Sequence, residues 1–122
     1  MDTIVVTKEL YASRLRALLG PGSAGGLPRR RRDRLILLHA VSRRFAASDR
    51  LREREATGRI EDFLLGPGRH LGVDAVTLRR ALVDEGFVDR TDRGEDYRAS
   101  DRHERLVRFE GEMPDVEAVL GG

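Results

Sequence analysis

Arg29-Arg30-Arg31-Arg32, followed by Arg34, sets five guanidinium groups within six residues. Guanidinium is always charged and matches phosphate oxygens as a planar fork. The chemistry such a run suggests is polyanion binding rather than bond making, through neutralisation of phosphates. It also opens a helical pattern, where the macrodipole disfavours each cation by roughly 0.3–1 kcal/mol. Tolerating that cost points to a use. The competing reading is a solvated basic turn, or one that pairs with the acidic tail.

A second set lies downstream. Asp74 is a good N-cap for a helix running through Glu85, and Gly86 is a good stop. At about 100° per residue, Ala75, Leu78, Ala81 and Leu82 share one face. Val76, Arg80 and Val83 project opposite, flanked by Thr77, Arg79 and Asp84. If this helix reads a duplex, Thr77 and Arg80 face the groove. Arg79 has an equal claim to an internal network with Asp84, Asp89 or the Glu53/Glu55 pair. Val76 and Val83 outside favour a protein partner or a dimer seam instead. Arg90, Arg93 and Arg98 mark the following segment as a basic arm, although Asp89, Asp92, Glu95 and Asp96 interleave with them. From residue 66 to 98 six arginines face seven acids, where a recognition unit should be positive.

Catalytic patterns are missing. His39, His70 and His103 lack metal-ligand spacing. The chain has no cysteine, hence no thiolate, disulfide or cysteine nucleophile. Glu53 and Glu55, two apart on a helix, do not face one another. No serine sits in a nucleophile elbow, and the glycine-rich connector lacks the Gly-Lys-Ser/Thr ending of a phosphate loop. The expectation is a protein that is not an enzyme and needs neither cofactor nor metal.

The elements that must position these residues follow from periodicity. The chain has 122 residues, 39% apolar and 36% charged, enough for one domain with a single core. Thr7 caps a helix over Lys8–Leu19, expected to be a packing or dimerisation arm, and Gly20–Pro28 is the clearest linker. Arg29–Phe45 reads as the longest helix, Arg52–Leu65 as another despite Gly58, and Gly66-Pro67-Gly68 ends it. Phe87–Arg90 and Glu95–Arg98 are expected to pair as strands across Thr91-Asp92-Arg93-Gly94. The tail carries one weak helical signal at Pro114–Leu120. Charge is asymmetric. Arg29 to Arg50 carries eight arginines against two aspartates, whereas Ala99 to Gly122 carries three arginines against six acids. Such a field suits a polyanionic partner, although Lys8 as the sole lysine is also what a GC-rich genome produces. No signal peptide or membrane span is read, which makes the cytoplasm the expected location.

The run from Asp74 through Leu78-Arg79-Arg80-Ala81-Leu82-Val83-Asp84-Glu85-Gly86-Phe87 to Arg90, then Gly94 and Tyr97, resembles a bacterial domain-of-unknown-function family, number 2087. The likeness spans about Leu27 to Ser100, with Leu27-Pro28 similar to that family's entry into its long helix. Glu53 and Glu55 keep its Glu-x-Glu, while Leu51 and Thr57 stand where it has an aromatic and an Asn. The resemblance implies a winged-helix-like domain, sometimes joined to regulator-type DNA-binding domains, and no established activity.

The expected fold is therefore α+β, mostly α, with a winged-helix-like core, a C-terminal β-hairpin wing and an extra N-terminal helix. Residues 1–26 form the helix and connector, 27–100 the winged-helix-like domain and 101–122 the acidic tail. The expected function is a DNA-binding transcriptional regulator that contacts double-stranded DNA through Arg29, Arg30, Arg31, Arg32, Arg34, Thr77, Arg79, Arg80 and Arg93. The alternative is a non-catalytic protein-interaction module, working through a homodimer or another protein and using Val76, Val83 and the N-terminal helix. Autoinhibition by the tail is a further expectation.

Overall fold

A computed structural model describes residues 2–91, 93 and 96–121. It is an α+β molecule, mostly α. In chain order the elements are β1 (Ile4–Val6), α1 (Lys8–Leu19), α2 (Arg31–Ser42), α3 (Glu53–Leu65), α4 (Ala75–Asp84), β2 (Val88–Arg90), β3 (Tyr97–Ala99), a 3-10 turn (Arg102–Arg105), β4 (Val107–Phe109) and α5 (Val116–Gly121).

Local signals account for the helix starts. Thr7 caps α1, its hydroxyl accepting from Leu10 N at 3.1 Å. Asp74 caps α4, accepting from Thr77 N at 2.7 Å. At α3 the Glu55 carboxylate reaches back to Arg52 N at 3.0 Å, half of a capping box. Gly86 ends α4 at φ +85°. A Cβ there would lie 2.8 Å from His103 N, so both the conformation and the close approach of the 3-10 turn require glycine.

Helix α2 is shorter than its apolar pattern suggests, 31–42 rather than 29–45. Arg30 is extended at φ −70°, ψ 126° and has no side-chain cap. At the other end Arg44 N and Phe45 N bond to the carbonyls of Val41 and Ser42, tighter turns that still deliver Phe45 to the core. The hairpin is present with a shifted frame. Its pairs are Val88↔Ala99, Asp89↔Arg98 and Arg90↔Tyr97. Phe87 precedes the first strand because its N–H closes the end of α4 on Leu82 O. Of the expected turn, Asp92 and Gly94 lie outside the described residues, as does Glu95 of the expected second strand.

Two pairings were not foreseen. Leu51 forms an antiparallel bridge to Tyr97, so the segment leading into α3 joins the hairpin beside β3. Strand β1 pairs in parallel with β4, Ile4↔Val107 through Val6↔Phe109, and ties the N-terminus to the tail.

One core unites these parts. Val6, Tyr11, Leu15 and Leu19 from the N-terminal segment meet Leu35, Leu38 and Val41 of α2, Ile60 and Phe63 of α3, and Leu78 and Leu82 of α4. Val107, Met113, Val116 and Val119 of the tail join the same cluster. At roughly 1.5–3 kcal/mol per fully buried aliphatic or aromatic side chain, these contacts hold both chain ends in place. The apolar face of α1 is thus consumed within the molecule.

Candidate nucleic-acid interface

Helix α4 turns two faces to different tasks. Leu78 and Leu82 are buried at its back, whereas Val76, Thr77, Arg80 and Asp84 are exposed. At its start the Asp74 carboxyl is held below the ordinary carboxylate range, chiefly by the Thr77 N–H and hydroxyl. Arg79 does not reach out. Its Nη2 pairs with Glu53 at 2.9 Å, its Nη1 donates to Thr57 Oγ1 at 2.6 Å, and its guanidinium sits 5.4 Å from the Tyr97 ring centroid. One side chain thereby binds α4 to α3 and to β3. Thr57 of α3 is what accepts from it.

Arg80 has no ion-pair partner among the described residues and stands exposed beside a groove between α4 and the hairpin. The groove encloses about 500 Å³ and is walled by Arg80, Val83 and Asp84 on one side and Arg90, Thr91 and Tyr97 on the other. Arg90, Arg93 and Arg98 are exposed along the hairpin. Asp89, just before them in sequence, is bound elsewhere: Arg102 Nε donates to its Oδ1 at 2.6 Å, and Arg102 Nη2 also donates to Val83 O and Val88 O. No sequence spacing signals that contact, because its partners are thirteen residues apart and joined only by the fold.

The arginine run divides. Arg31 and Arg34 close on Glu85 from two sides, at 3.3 and 3.4 Å, at the C-terminus of α4. Arg32 pairs with Asp33 at 3.3 Å. Asp33 is itself buried, and Arg14 grips both its oxygens, Nε to Oδ1 at 3.1 Å and Nη2 to Oδ2 at 3.0 Å. Arg29 and Arg30 remain exposed without an ion pair among the described residues. The structure thus brings part of the run to the end of α4 through Glu85 and leaves Arg29 and Arg30 at the mouth of α2. The tail acids engage other partners: Asp115 pairs with Arg43 at 3.3 Å and Glu117 with Arg44 at 2.8 Å.

These pairs change the local charge. Glu85 and Asp89 are two of the seven acids between residues 66 and 98, and both are met by arginines from outside that segment. Two acids that the linear count sets against the arginines of this segment are thus neutralised where they stand.

Away from this surface lies a buried polar pair that periodicity did not reveal. Tyr11 Oη and His39 Nδ1 are 2.7 Å apart, and Phe109 of β4 packs on the His39 ring with centroids 4.1 Å apart. Burial lowers the His39 pKa to about 4, with the Arg43 charge adding to the effect, and raises that of Tyr11 to about 12. His39 is therefore neutral at pH 7, and its tautomer sets which of the two groups donates. The pair serves the α1–α2–β4 packing.

The LRRxLVDxGF run in α4 and the Leu51–Tyr97 corner both fall within residues 25–99, which match the model of the family DUF2087, described as an uncharacterised protein conserved in bacteria. The chain belongs to that family. Its matched region covers α2 through β3, and therefore the α4 face, the hairpin and the arginine run. Strand β1, helix α1, strand β4 and helix α5 lie outside the match. No curated protein and no solved structure matches the chain. Among the described residues no helix is long and apolar enough to cross a membrane.

Proposed function

We propose that this DUF2087 protein is a DNA-binding regulator built on a winged-helix-like domain. The order of α2, the Leu51 bridge, α3, α4 and the β2–β3 hairpin supports it, with Leu51 on the β3 side of the hairpin. In winged helices the second helix of the helix–turn–helix enters the major groove and the hairpin reaches flanking backbone. Here α4 would be that helix and the hairpin the wing.

The single observation carrying the reading is the separation of roles along α4 and the hairpin. Arg79 is spent on holding α3, α4 and β3 together, while Arg80 and Arg90 line opposite walls of one groove with no ion pair among the described residues. A phosphate seated in that groove would meet Arg80 and Arg90 from both sides, with Thr77 reaching base edges and Arg93 and Arg98 the adjoining backbone. Arg29 and Arg30 would add contacts at the start of α2, where helical N–H groups also favour an anion. Arg31, Arg32 and Arg34 would act mainly by compensating Glu85 and Asp33.

The test is duplex binding by the full chain and by Arg80→Ala, Arg90→Ala and the double Arg29→Ala/Arg30→Ala variant. Each lost phosphate contact should weaken binding to all sequences and lower the salt slope by about 0.9. Duplex affinity indifferent to all three would defeat the proposal.

A protein-interaction reading has its own observation: Val76 is 46% exposed on the same α4 face. Since α1 buries its apolar side in the core, a docking surface drawn from the notional arm contracts to Val76 and half-buried Val83. In that reading Val76→Asp removes partner binding, whereas in the DNA reading it acts mainly on the groove-facing helix.

A further inference from the structure

On the outer side of α3, away from the arginine groove, a second groove of about 750 Å³ runs between that helix and the start of α4. Gly58, Glu61, Asp62 and Leu65 follow one another at i, i+3, i+4 and i+7, so they form one stripe along two turns of α3. Leu64 and Ala75 complete the apolar part of the lining, and Glu55 and Asp74 extend its acidic part.

Leu65, Gly58 and the Glu61/Asp62 pair stand out on this stripe, whereas Glu55 and Asp74 also cap α3 and α4. Leu65 is 81% exposed, against 46% for Val76 and 42% for Val5. Gly58 sits inside a helix, where glycine is poorly suited, yet nothing lies within 4 Å of where its Cβ would be, so internal packing does not require it. Four carboxylates line the groove against one guanidinium, and that one, Arg59, is already held by Asp49 at 3.0 Å and by Arg44 O at 2.9 Å. Glu61 and Asp62 are exposed and have no ion pair among the described residues.

We infer that this groove docks a cationic amphipathic helix from a partner protein. An apolar side chain of that helix would cover Leu65 against Leu64 and Ala75. Its lysines or arginines, one turn away, would meet Glu61 and Asp62, and its backbone would approach most closely over Gly58. The charge complementarity selects this occupant, since a nucleic acid would be repelled here. The inference does not depend on the arginine groove, and the two surfaces would let one domain hold DNA and a basic protein segment together.

The experiment is selection of random sixteen-residue peptides displayed against the folded full chain, followed by anisotropy with the peptides recovered. Peptides combining apolar residues at helical spacing with Lys or Arg are expected. Their affinity should fall at least tenfold on Leu65→Glu, on Gly58→Trp and on the Glu61→Lys/Asp62→Lys reversal. Gly58→Ala should melt a few degrees higher, which separates the glycine's helical role from its docking role. Leu65 is exposed, so Leu65→Glu should keep the wild-type melting temperature and the same DNA affinity. Recovery of acidic or uncharged peptides, recovery of none, or affinities indifferent to Leu65→Glu and Gly58→Trp would overturn the inference. A self-associated chain that Leu65→Glu returns to monomer would overturn it in favour of a second copy as the occupant.

Discussion

Arg102 of the 3-10 turn donates from Nε to Asp89 Oδ1 of β2 at 2.6 Å, and so couples the tail to the hairpin. The pair withdraws an acid from the surface proposed to face DNA, and it does so from outside the family-matched region.

Arg102→Ala should therefore leave Asp89 uncompensated among Arg90, Arg93 and Arg98. The exposed Asp89 pair adds little to stability, and with the lost bonds to Val83 O and Val88 O the folding penalty should be about 1–2 kcal/mol. Duplex affinity should drop about twofold to fivefold at low salt. The check is paired denaturant melts and anisotropy titrations, and Arg102→Ala/Asp89→Asn should restore the affinity.

Arg79 and Arg80 are neighbours with opposite expected phenotypes. Arg79→Ala removes the Thr57 hydrogen bond, the Glu53 pair and the contact with the Tyr97 ring, and should destabilise the fold by about 1–2 kcal/mol. Arg80→Ala should leave stability within about 0.5 kcal/mol of wild type and lose DNA affinity. Urea denaturation of both variants separates the two roles.

Gly86→Ala should be among the most damaging single-methyl changes. The residue lies at φ +85°, and the new Cβ would press on His103 N and the Arg102 Cβ, at 2.8 and 2.9 Å. A loss of about 2–4 kcal/mol is expected from the two effects together. Amide exchange should show the 3-10 turn and hairpin loosening before the α1–α2 pair.

The Tyr11–His39 pair sets an acid limb. Because the His39 pKa is depressed in the folded state, the unfolded chain takes up the proton first as pH falls. Stability present above pH 6.5 is lost progressively down to about pH 4, by an amount on the order of 3 kcal/mol. His39→Gln should flatten stability over that window relative to wild type, as measured by melts at stepped pH. At the alkaline end Tyr11, raised to about 12, contributes stability that is lost as pH rises from 10 toward that value.

Much of the helical frame was legible because its signals are local. Thr7 and Asp74 announce their helices by capping chemistry, and Gly86 announces the stop. The opposition of Arg80 to Leu78 and Leu82 follows from helical projection alone. Less visible were the features made by residues far apart. Strand β1 is three residues long and pairs with residues about a hundred positions away, so no periodic run marks it. The same holds for Asp33 beneath Arg14, for Glu85 between Arg31 and Arg34, and for Asp89 under Arg102. Those pairs decide the charge of the candidate site. A linear count across residues 66–98 therefore sets against the site two acids, Glu85 and Asp89, that the fold neutralises.

The central claim is that the α4–hairpin surface binds DNA through phosphate contacts. It is tested most directly by anisotropy of a labelled random duplex titrated with the full chain at salt concentrations between about 50 and 200 mM. The account predicts binding whose logarithmic affinity falls linearly with log salt, with a shallower slope for Arg80→Ala and Arg90→Ala. Absence of binding at the lowest salt, or an affinity insensitive to salt, would contradict it.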